Sequence, residues 1–515
     1  MSPEAATRIA QETDVVTLRQ MVLAQAEQIE RLEAEVAALQ QELEQLKAQL
    51  GELDPATQAA ERQRLQERIE LLRQKLYGRS SERRRTGQGG APRDAGQEKP
   101  PQTGHGPRPQ PKLEVEIRYH EATEAERICR CCGRVMVPLG EQYEESEEIT
   151  VIPRRYVLIK HRRQKYRCPG HDGVLTAPGP DKLMPGGRYS PSFAVEVAVD
   201  KYGLHLPLER QSRAMKSAGL TVTTQTLCDQ LAVLAGLLAP TVAAIGQQIL
   251  AEPVVQADET RWPILANGKV KENQTAYAWC LLGRELVVYH ILGSRGQDAG
   301  RQVLQQYCGV VMADGYEVYE ALARGQPAAF TVAHCWAHVR RKFVEIQDHA
   351  PAACEEVLTM IRALFDLERQ FKPLTAEERL RRRQAEAKPL VDDIFRWAVQ
   401  QQAQVLPRSS LAGALGYLLN LEVGLRKFLD DPAIPLDNNA AERAQRGLVL
   451  GRVNHYGSRS AQATQVAATF YTLIESAKLT GVDPRAYLLA LTQAVLKDPT
   501  AVLLPADFKQ QLEIV

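Results

Sequence analysis

Between residues 253 and 334 the chain carries a series of short apolar runs in one order. VVQAD, TAYAWCLLG and ELVVYHILG come first, then a helical stretch from about Gln297 to Tyr307, then GVVMAD, a helical segment near Gly315 to Arg324, and AAFTVAH. Runs of this length, bounded by Gly, Pro and Asn, read as strands. The first three follow on short connections, as in a meander, and the later ones are separated by helices, as in crossovers. This order predicts a mixed sheet whose first and fourth strands are parallel neighbours. Two of the runs end in an acid, Asp258 and Asp314. A carboxylate at the end of a buried strand is expensive unless it is paired, protonated or bound to a cation.

Strands and helices in this sequence have the order of an RNase H-like sheet. Glu259 follows Asp258 directly and should therefore point to the opposite face. A third acid, Glu442, lies in DNNAAERA, after a stretch from His334 to Asp431 that is almost wholly helical in pattern. That stretch is too long for a simple connection and reads as an inserted helical subdomain. Three carboxylates on two strands and a helix can hold two divalent metals, the chemistry of nucleic-acid strand cleavage and transfer. Glu442 has a rival role: with Asn439 as N-cap it falls at the third helical position and can close a capping-box-like arrangement. His334 and His338 in HCWAH have zincin spacing without its glutamate, so they are read as bracing the insertion. Arg340, Arg341 and Lys342 beside them can reach DNA.

The 515 residues are 44% hydrophobic and 25% charged, which fits about three or four domains. A net charge of +1 hides local imbalance. Ile29, Leu32, Val36, Leu39, Leu43, Leu46 and Leu50 alternate in steps of three and four, forming an a/d seam. Ile and Val share the a positions with Leu, d is all Leu, and Glu42 at g faces Lys47 at the next e, so a parallel dimer is expected. Pro55 ends the register, and a second amphipathic helix carries Leu65, Ile69, Leu72 and Leu76. Arg79 to Pro111 is rich in Gly, Pro, Gln and Arg and reads as a flexible tether. The start, MSPEAATRIAQETD, lacks the order of a signal peptide. The most apolar stretch, Leu231 to Ile245, is short and broken by Pro240, so a cytoplasmic protein with no membrane partner is expected.

Cys129 and Cys132 are spaced CxxC, and Cys168 and His171 repeat the spacing in CPGH. Four such ligands on two knuckles suit a tetrahedral structural Zn2+, with Cys131 a bystander. Between them PRRYVLIKHRRQKYRC reads as two strand-like pieces. Arg154, Arg155, Arg162, Arg163 and Lys165 give it the density of a phosphate-contacting face. Helices near Ser192 to Tyr202, Leu208 to Ser217 and Thr223 to Leu234, with Gly219 in the turn before the last of them, loosely fit a helix-turn-helix. Arg210, Arg213 and Lys216 are its exposed candidates. Arg443, Arg446 and Arg452 are further candidate phosphate contacts around the third acid.

YGRSSE, the cysteine knuckles, KYGLHLPLERQ, ADET, ADGYEVY, HCWAHVRRKF, NNAAERA and TFYTLIESAKLTGVDPRAYL span nearly the whole chain. In this combination the chain resembles transposases of the insertion sequence 66 family. The resemblance implies a DDE transposase in which Asp258, Asp314 and Glu442 match the catalytic acids and the segment Cys129 to His171 matches a zinc finger. His171 stands where relatives commonly carry a fourth cysteine, and RVNH, Arg452 to His455, stands where they read RKNW, so Val453 removes a phosphate contact. The expected organisation is multidomain α+β: coiled coil and helical arm 12–78, linker 79–112, zinc-finger domain 113–187, helical DNA-binding region 188–250, RNase H-like core 251–333 and 432–515, and helical insertion 334–431. The expected activity is metal-dependent cleavage and strand transfer at the ends of a bacterial insertion sequence. Two Mg2+ (or Mn2+) per site, homodimerisation or higher through the coiled coil, accessory proteins of the element and a nucleoid-associated location go with it. A catalytically inactive DNA-binding regulator and a nuclease that cuts without joining are the alternatives.

Overall fold

The computed structural model describes residues 115–123, 125–129, 131, 134–138, 149, 154–167, 174–266, 269–325 and 330–514. The expected coiled coil, helical arm and linker lie outside the described residues, as do Cys132, Cys168 and His171. The chain forms two compact units that divide between Arg155 and Tyr156. In the smaller one, the Met136 N–H donates to the Arg127 carbonyl at 2.7 Å and the Cys129 N–H to that of Arg134 at 2.8 Å. With Ile128 bridged antiparallel to Val135, these bonds close a tight hairpin that carries Cys129 and Cys131 at its turn.

Past Tyr156, the first strands of the larger unit are a second small antiparallel pair, β1 (Lys165–Arg167) against β2 (Val174–Thr176), with Tyr166 opposite Leu175. Only this short strand forms within the basic segment; residues 154–164 have no regular structure. Its apolar residues Val157, Leu158 and Ile159 are consecutive rather than alternating, so no single face can be buried, and all three remain exposed.

Three helices follow: α1 (Pro191–Ala198), running on into a π turn at Val199–Gly203, α2 (Leu208–Ser217) and α3 (Thr224–Leu250). Gly219 joins the last two with φ +86°, a left-handed conformation that favours glycine. The third helix runs 27 residues, well past the expected end near Leu234. Pro240 costs a helix interior about 3 kcal/mol, and burial of Leu227, Leu231, Leu234, Leu238, Ile245 and Ile249 along one face offsets it. By length and composition this helix could cross a membrane. Its apolar face is instead packed into the same core as the sheet.

That sheet has five strands: β3 (Val254–Ala266), β4 (Lys269–Leu282), β5 (Val287–Leu292), β6 (Val310–Ala313) and β7 (Thr331–His334). Their order is β5-β4-β3-β6-β7. The first three pair antiparallel, whereas β6 runs parallel to both β3 and β7. Two helices make the crossovers, α4 (Gln297–Leu304) and α5 (Glu317–Gly325).

Beyond β7 come α6 (Trp336–Glu345), α7 (Pro351–Phe371), α8 (Ala376–Arg382), α9 (Lys388–Gln402), α10 (Ser410–Asn420) and α11 (Glu422–Arg426). They enclose a second core built on Trp336, Phe343, Ile361, Phe371, Ile394, Leu415 and Phe428. Arg383, 2% exposed, sits within it, paired with Glu368 at 2.8 Å and donating to the carbonyls of Phe428 and Asp431. A buried cation is tolerable only with its hydrogen bonds satisfied in this way. The chain then returns to the sheet through α12 (Asn439–His455), α13 (Ala461–Leu479), α14 (Pro484–Lys497) and α15 (Pro505–Ile514). Edge strand β5 presents free backbone groups that α13 takes up. Ser476 Oγ accepts from the Val287 N–H and donates to the Val287 carbonyl, and Thr472 Oγ1 accepts from the Tyr289 N–H at 3.0 Å. This is why two hydroxyls lie on a fully buried helix face.

Candidate active site

Strand register brings two of the acids together. Val254, Val255 and Gln256 pair with Val310, Val311 and Met312, and carrying that register two residues further sets Asp258 level with Asp314. Both acids therefore leave the same end of adjacent parallel strands. Asp258 lies opposite Cys280 on β4, which lies opposite Tyr289 on β5. The Tyr289 hydroxyl donates to the Ala444 carbonyl of α12 at 2.7 Å, so this face of the sheet is the one under the helix that bears Glu442. Glu259 takes the other face. Its carboxylate accepts from Arg295 at 2.6 Å and from the Tyr319 hydroxyl at 2.8 Å, and Trp279, opposite it on β4, packs edge-on against Tyr319.

Helix α12 is tied to the strand beside the first acid. The Asn438 side chain, fully buried, donates to the Ala257 carbonyl at 2.8 Å, and its N–H donates to Cys335 Sγ. The helix starts at Asn439, so Glu442 is one position deeper than a capping box requires, and Asn438 makes no side-chain cap. The capping alternative for Glu442 is thus not realised. Its carboxylate faces α6 instead, 3.5 Å from His338 Nε2 and 3.3 Å from Arg341 Nη2. Asp314 is fixed by the Tyr316 N–H, which donates to Oδ1 at 2.9 Å, and the adjacent Gly315 N–H donates to the Tyr417 hydroxyl. A side chain at Gly315 would collide with that tyrosine, 2.7 Å from the position of a Cβ.

The electrostatics are those of crowded anions. Burial, and next the charges of Glu259 and Asp314, push the Asp258 carboxyl up to about 8, against which the Glu259 N–H donates. Burial also raises Glu259, although Arg295 and Tyr319 counter it. His338 is lowered, first by burial and then by Arg341, while Asp314 and Glu442 oppose the shift. His334, buried at the end of β7, falls to about 4 by burial. Glu442 Oε1 is buried without a hydrogen-bond donor. Among the described residues no three His, Cys, Asp or Glu side chains stand close enough together to hold a metal ion. The donor chemistry nonetheless suits a hard divalent cation: the oxygens of three carboxyl groups, one of them, Glu442 Oε1, buried without a donor, and Asp258 raised by a crowding of negative charge that a cation would relieve.

The other expected site residues are dispersed. Arg210, Arg213 and Lys216 share the exposed face of α2, with Arg213 3.8 Å from Glu209. Arg443 and Arg446 are exposed on α12, and Arg162, Arg163 and Lys165 are exposed around β1. Arg154 and Arg155 belong to the smaller unit. Arg452 is not free for phosphate: its guanidinium donates to Thr260 Oγ1 at 3.1 Å and to the Arg261 carbonyl, holding α12 to β3. Of the expected zinc ligands only Cys129 is described. Asn438 has no signal in the sequence beyond its place in DNNAAERA, whereas HCWAH marks His334 and His338 as a cap on the fifth strand and a brace for the insertion near the active site.

Sheet, helical cover and clustered carboxylates define an α+β protein with an acidic site at one end of a mixed sheet. The model of the transposase IS66 family matches residues 186–466, and that of the zinc-finger binding domain of transposase IS66 matches 126–170, so the chain belongs to the IS66 transposase family. The second match includes Cys129, Cys132 and Cys168, ends one residue short of His171, and points to structural zinc. Uncharacterized protein y4hP of Sinorhizobium fredii is 31% identical over 76% of this chain and 75% of its own. Uncharacterized proteins y4jD and y4qI of the same organism are each 30% identical, over 76% and 78% of this chain and 80% and 78% of theirs.

Proposed function

We propose that this transposase cuts and joins DNA strands by a DDE mechanism on an RNase H-like core, with Asp258, Asp314 and Glu442 as its catalytic acids. The observation that carries the reading is the shared register of Asp258 and Asp314 beneath a helix tied to the same strand by Asn438. The three acids would hold two Mg2+ or Mn2+ ions. When bound, such ions lower the pKa of an attacking water or hydroxyl and stabilise the leaving oxygen.

The chain's own residues prepare that site. Burial and the neighbouring carboxylates favour the protonated form of Asp258, and a cation held by the three acids would favour its ionised form. Arg341 and His338 keep the Glu442 carboxylate aimed across from α6, and Tyr316 and Tyr417 fix the turn after β6. The exposed cations of α2, α12 and the segment around β1 supply backbone contacts to the element ends and target DNA. The coiled coil would bring two copies together, and the zinc finger would position the ends.

The test is strand transfer with the DNA that flanks the gene. Glu442→Gln keeps the size and the Arg341 hydrogen bond but is a poor metal ligand. Cleavage should be lost, while stability changes by less than about 1 kcal/mol, the scale of a part-exposed ion pair. Full activity in this variant would sink the assignment, and cleavage without joining in the wild type would make the protein a nuclease.

A further inference from the structure

Glu259 follows Asp258 directly and so points to the opposite face of β3, away from the ions that the three acids would hold. Its side chain is 2% exposed. A buried carboxylate behind other carboxylates is expensive twice over, because it loses hydration and adds like charge. Its contacts show what it holds.

Both oxygens of Glu259 are engaged. Oε1 accepts from Arg295 Nε at 2.9 Å and from Nη2 at 2.6 Å, and Oε2 accepts from the Tyr319 hydroxyl at 2.8 Å. Arg295 lies in the short loop between β5 and α4. That loop is pinned to β4 by the Trp279 indole N–H, which donates to the Ser294 carbonyl at 3.2 Å, and Ser294 Oγ accepts from the Gly296 N–H. With its edge fixed by Glu259, the guanidinium lies over the Tyr316 ring, 3.9 Å from the ring centre. The Tyr316 hydroxyl donates to the Arg295 carbonyl at 2.9 Å, so the ring is held at its face and at its tip.

Both ends of this chain of contacts stop at an acid. The Tyr316 N–H donates to Asp314 Oδ1 and the Glu259 N–H donates to Asp258 Oδ1, each at 2.9 Å. In each carboxyl group one oxygen is tied to a backbone N–H, and no donor among the described residues reaches the other. The parallel ladder between β3 and β6 covers Val254 to Gln256 and Val310 to Met312, so it ends two residues short of both acids. Beyond the ladder, the two strand ends are linked across the far face by Glu259, Arg295 and Tyr316.

We propose that Glu259, Arg295 and Tyr316 are positioning residues, a bracket on the far face of the sheet that sets the spacing of Asp258 and Asp314 and through it the affinity of the site for a divalent metal. An arginine suits the middle of the bracket because its planar fork binds a carboxylate by the edge while its face stacks on a ring, whereas lysine is a point charge on a flexible stem. Partners one shell outside the ligands typically change metal affinity by about 10–100-fold. The inference rests on the proposed acid site.

The test is Mn2+ binding to the full-length protein without DNA, followed by the electron paramagnetic resonance of the free ion, with Asp258→Asn marking the binding that belongs to the acids. Arg295→Gln and Arg295→Lys should each weaken that binding by about 10–100-fold. Tyr316→Phe, which deletes one hydrogen bond, should weaken it by about fivefold. In strand cleavage the same variants should need more metal for half-maximal rate, recover most of the rate at saturating metal, and bind a duplex in EDTA as the wild type does. Charge alone predicts otherwise: loss of a cation beside the acids would tighten Mn2+ binding in Arg295→Gln, and Arg295→Lys would match the wild type. Either result would overturn the bracket. Fewer Mn2+ sites at unchanged affinity would mean a merely structural role and overturn it too. If the Arg295 variants do not fold, Tyr316→Phe carries the test, and wild-type affinity in it would count against the bracket. A wild type that binds no Mn2+, or binds it equally well after Asp258→Asn, would overturn the acid site itself.

Discussion

Asp258→Asn should make the protein more stable while removing its proposed chemistry, and the size of the gain follows from the site. Burial and three neighbouring carboxylates raise the Asp258 carboxyl from an ordinary 3.8 to about 8. The folded chain therefore keeps a proton that the unfolded chain releases. Stability must then fall as pH rises through that window, and below it, where both states are protonated, no penalty remains. At about 1.4 kcal/mol per pH unit the ceiling is ~6 kcal/mol. Water entry and relaxation bring the expected figure to on the order of 2–3 kcal/mol. Asparagine keeps an oxygen for the Glu259 N–H and carries no charge. Unfolding in EDTA, followed by fluorescence of the buried Trp262 and Trp279, should show equal stabilities near pH 4 and a more stable variant near pH 8. A divalent cation should then stabilise the wild type but not the variant, by about 2.7 kcal/mol at a hundred times its dissociation constant. A variant no more stable than wild type near pH 8, or a gain independent of pH, would refute the reasoning.

Three further outcomes are expected. Asn438→Ala removes the bond that ties the start of α12 to β3 and leaves the Ala257 carbonyl without that donor; it should cost about 1–3 kcal/mol in unfolding free energy and lower the turnover rate more than DNA affinity. Gly424→Ala would put a Cβ 2.3 Å from His334 Nδ1, so a loss of about 1–3 kcal/mol from overpacking is expected in thermal unfolding. Cys129→Ser should release zinc, measured by metal analysis of purified protein, and make residues 126–170 more sensitive to protease; unchanged zinc content and protease resistance would exclude Cys129 as a ligand.

The sheet could be read from the sequence because its signals are local. Each strand announces itself over a few residues, and the order of short and helical connections leaves few topologies, so the sequence alone sets Asp258 and Asp314 side by side. What could not be read are contacts made across long separations. The length of α3 is hidden because Pro240, on the exposed side of the helix, looks like a breaker until the sheet and α13 are there to bury the opposite, apolar face. Arg452 looked like a phosphate ligand because nothing near it in sequence competes for its guanidinium; its partners, Thr260 and Arg261, lie 192 and 191 residues away. Glu442 looked equally suited to a cap, since its rivals for the carboxylate, His338 and Arg341, belong to another helix.

The insertion explains how that third acid can be placed at all. The chain leaves the sheet through Cys335 and Trp336 and comes back through Leu436 and Asn438, and these points are bonded to each other: the Trp336 N–H donates to the Leu436 carbonyl, and the Asn438 N–H to Cys335 Sγ. Exit and re-entry therefore form a closed neck, and the helices beyond it fold around their own core. A long insertion closed in this way adds little to the entropy of bringing its ends together, since that term grows only with the logarithm of length. The neck itself carries the geometry of the proposed site. Its outgoing helix, α6, presents His338 and Arg341, and its returning helix, α12, presents Glu442 to them, so the insertion holds the third carboxylate at the sheet end where the other two already stand.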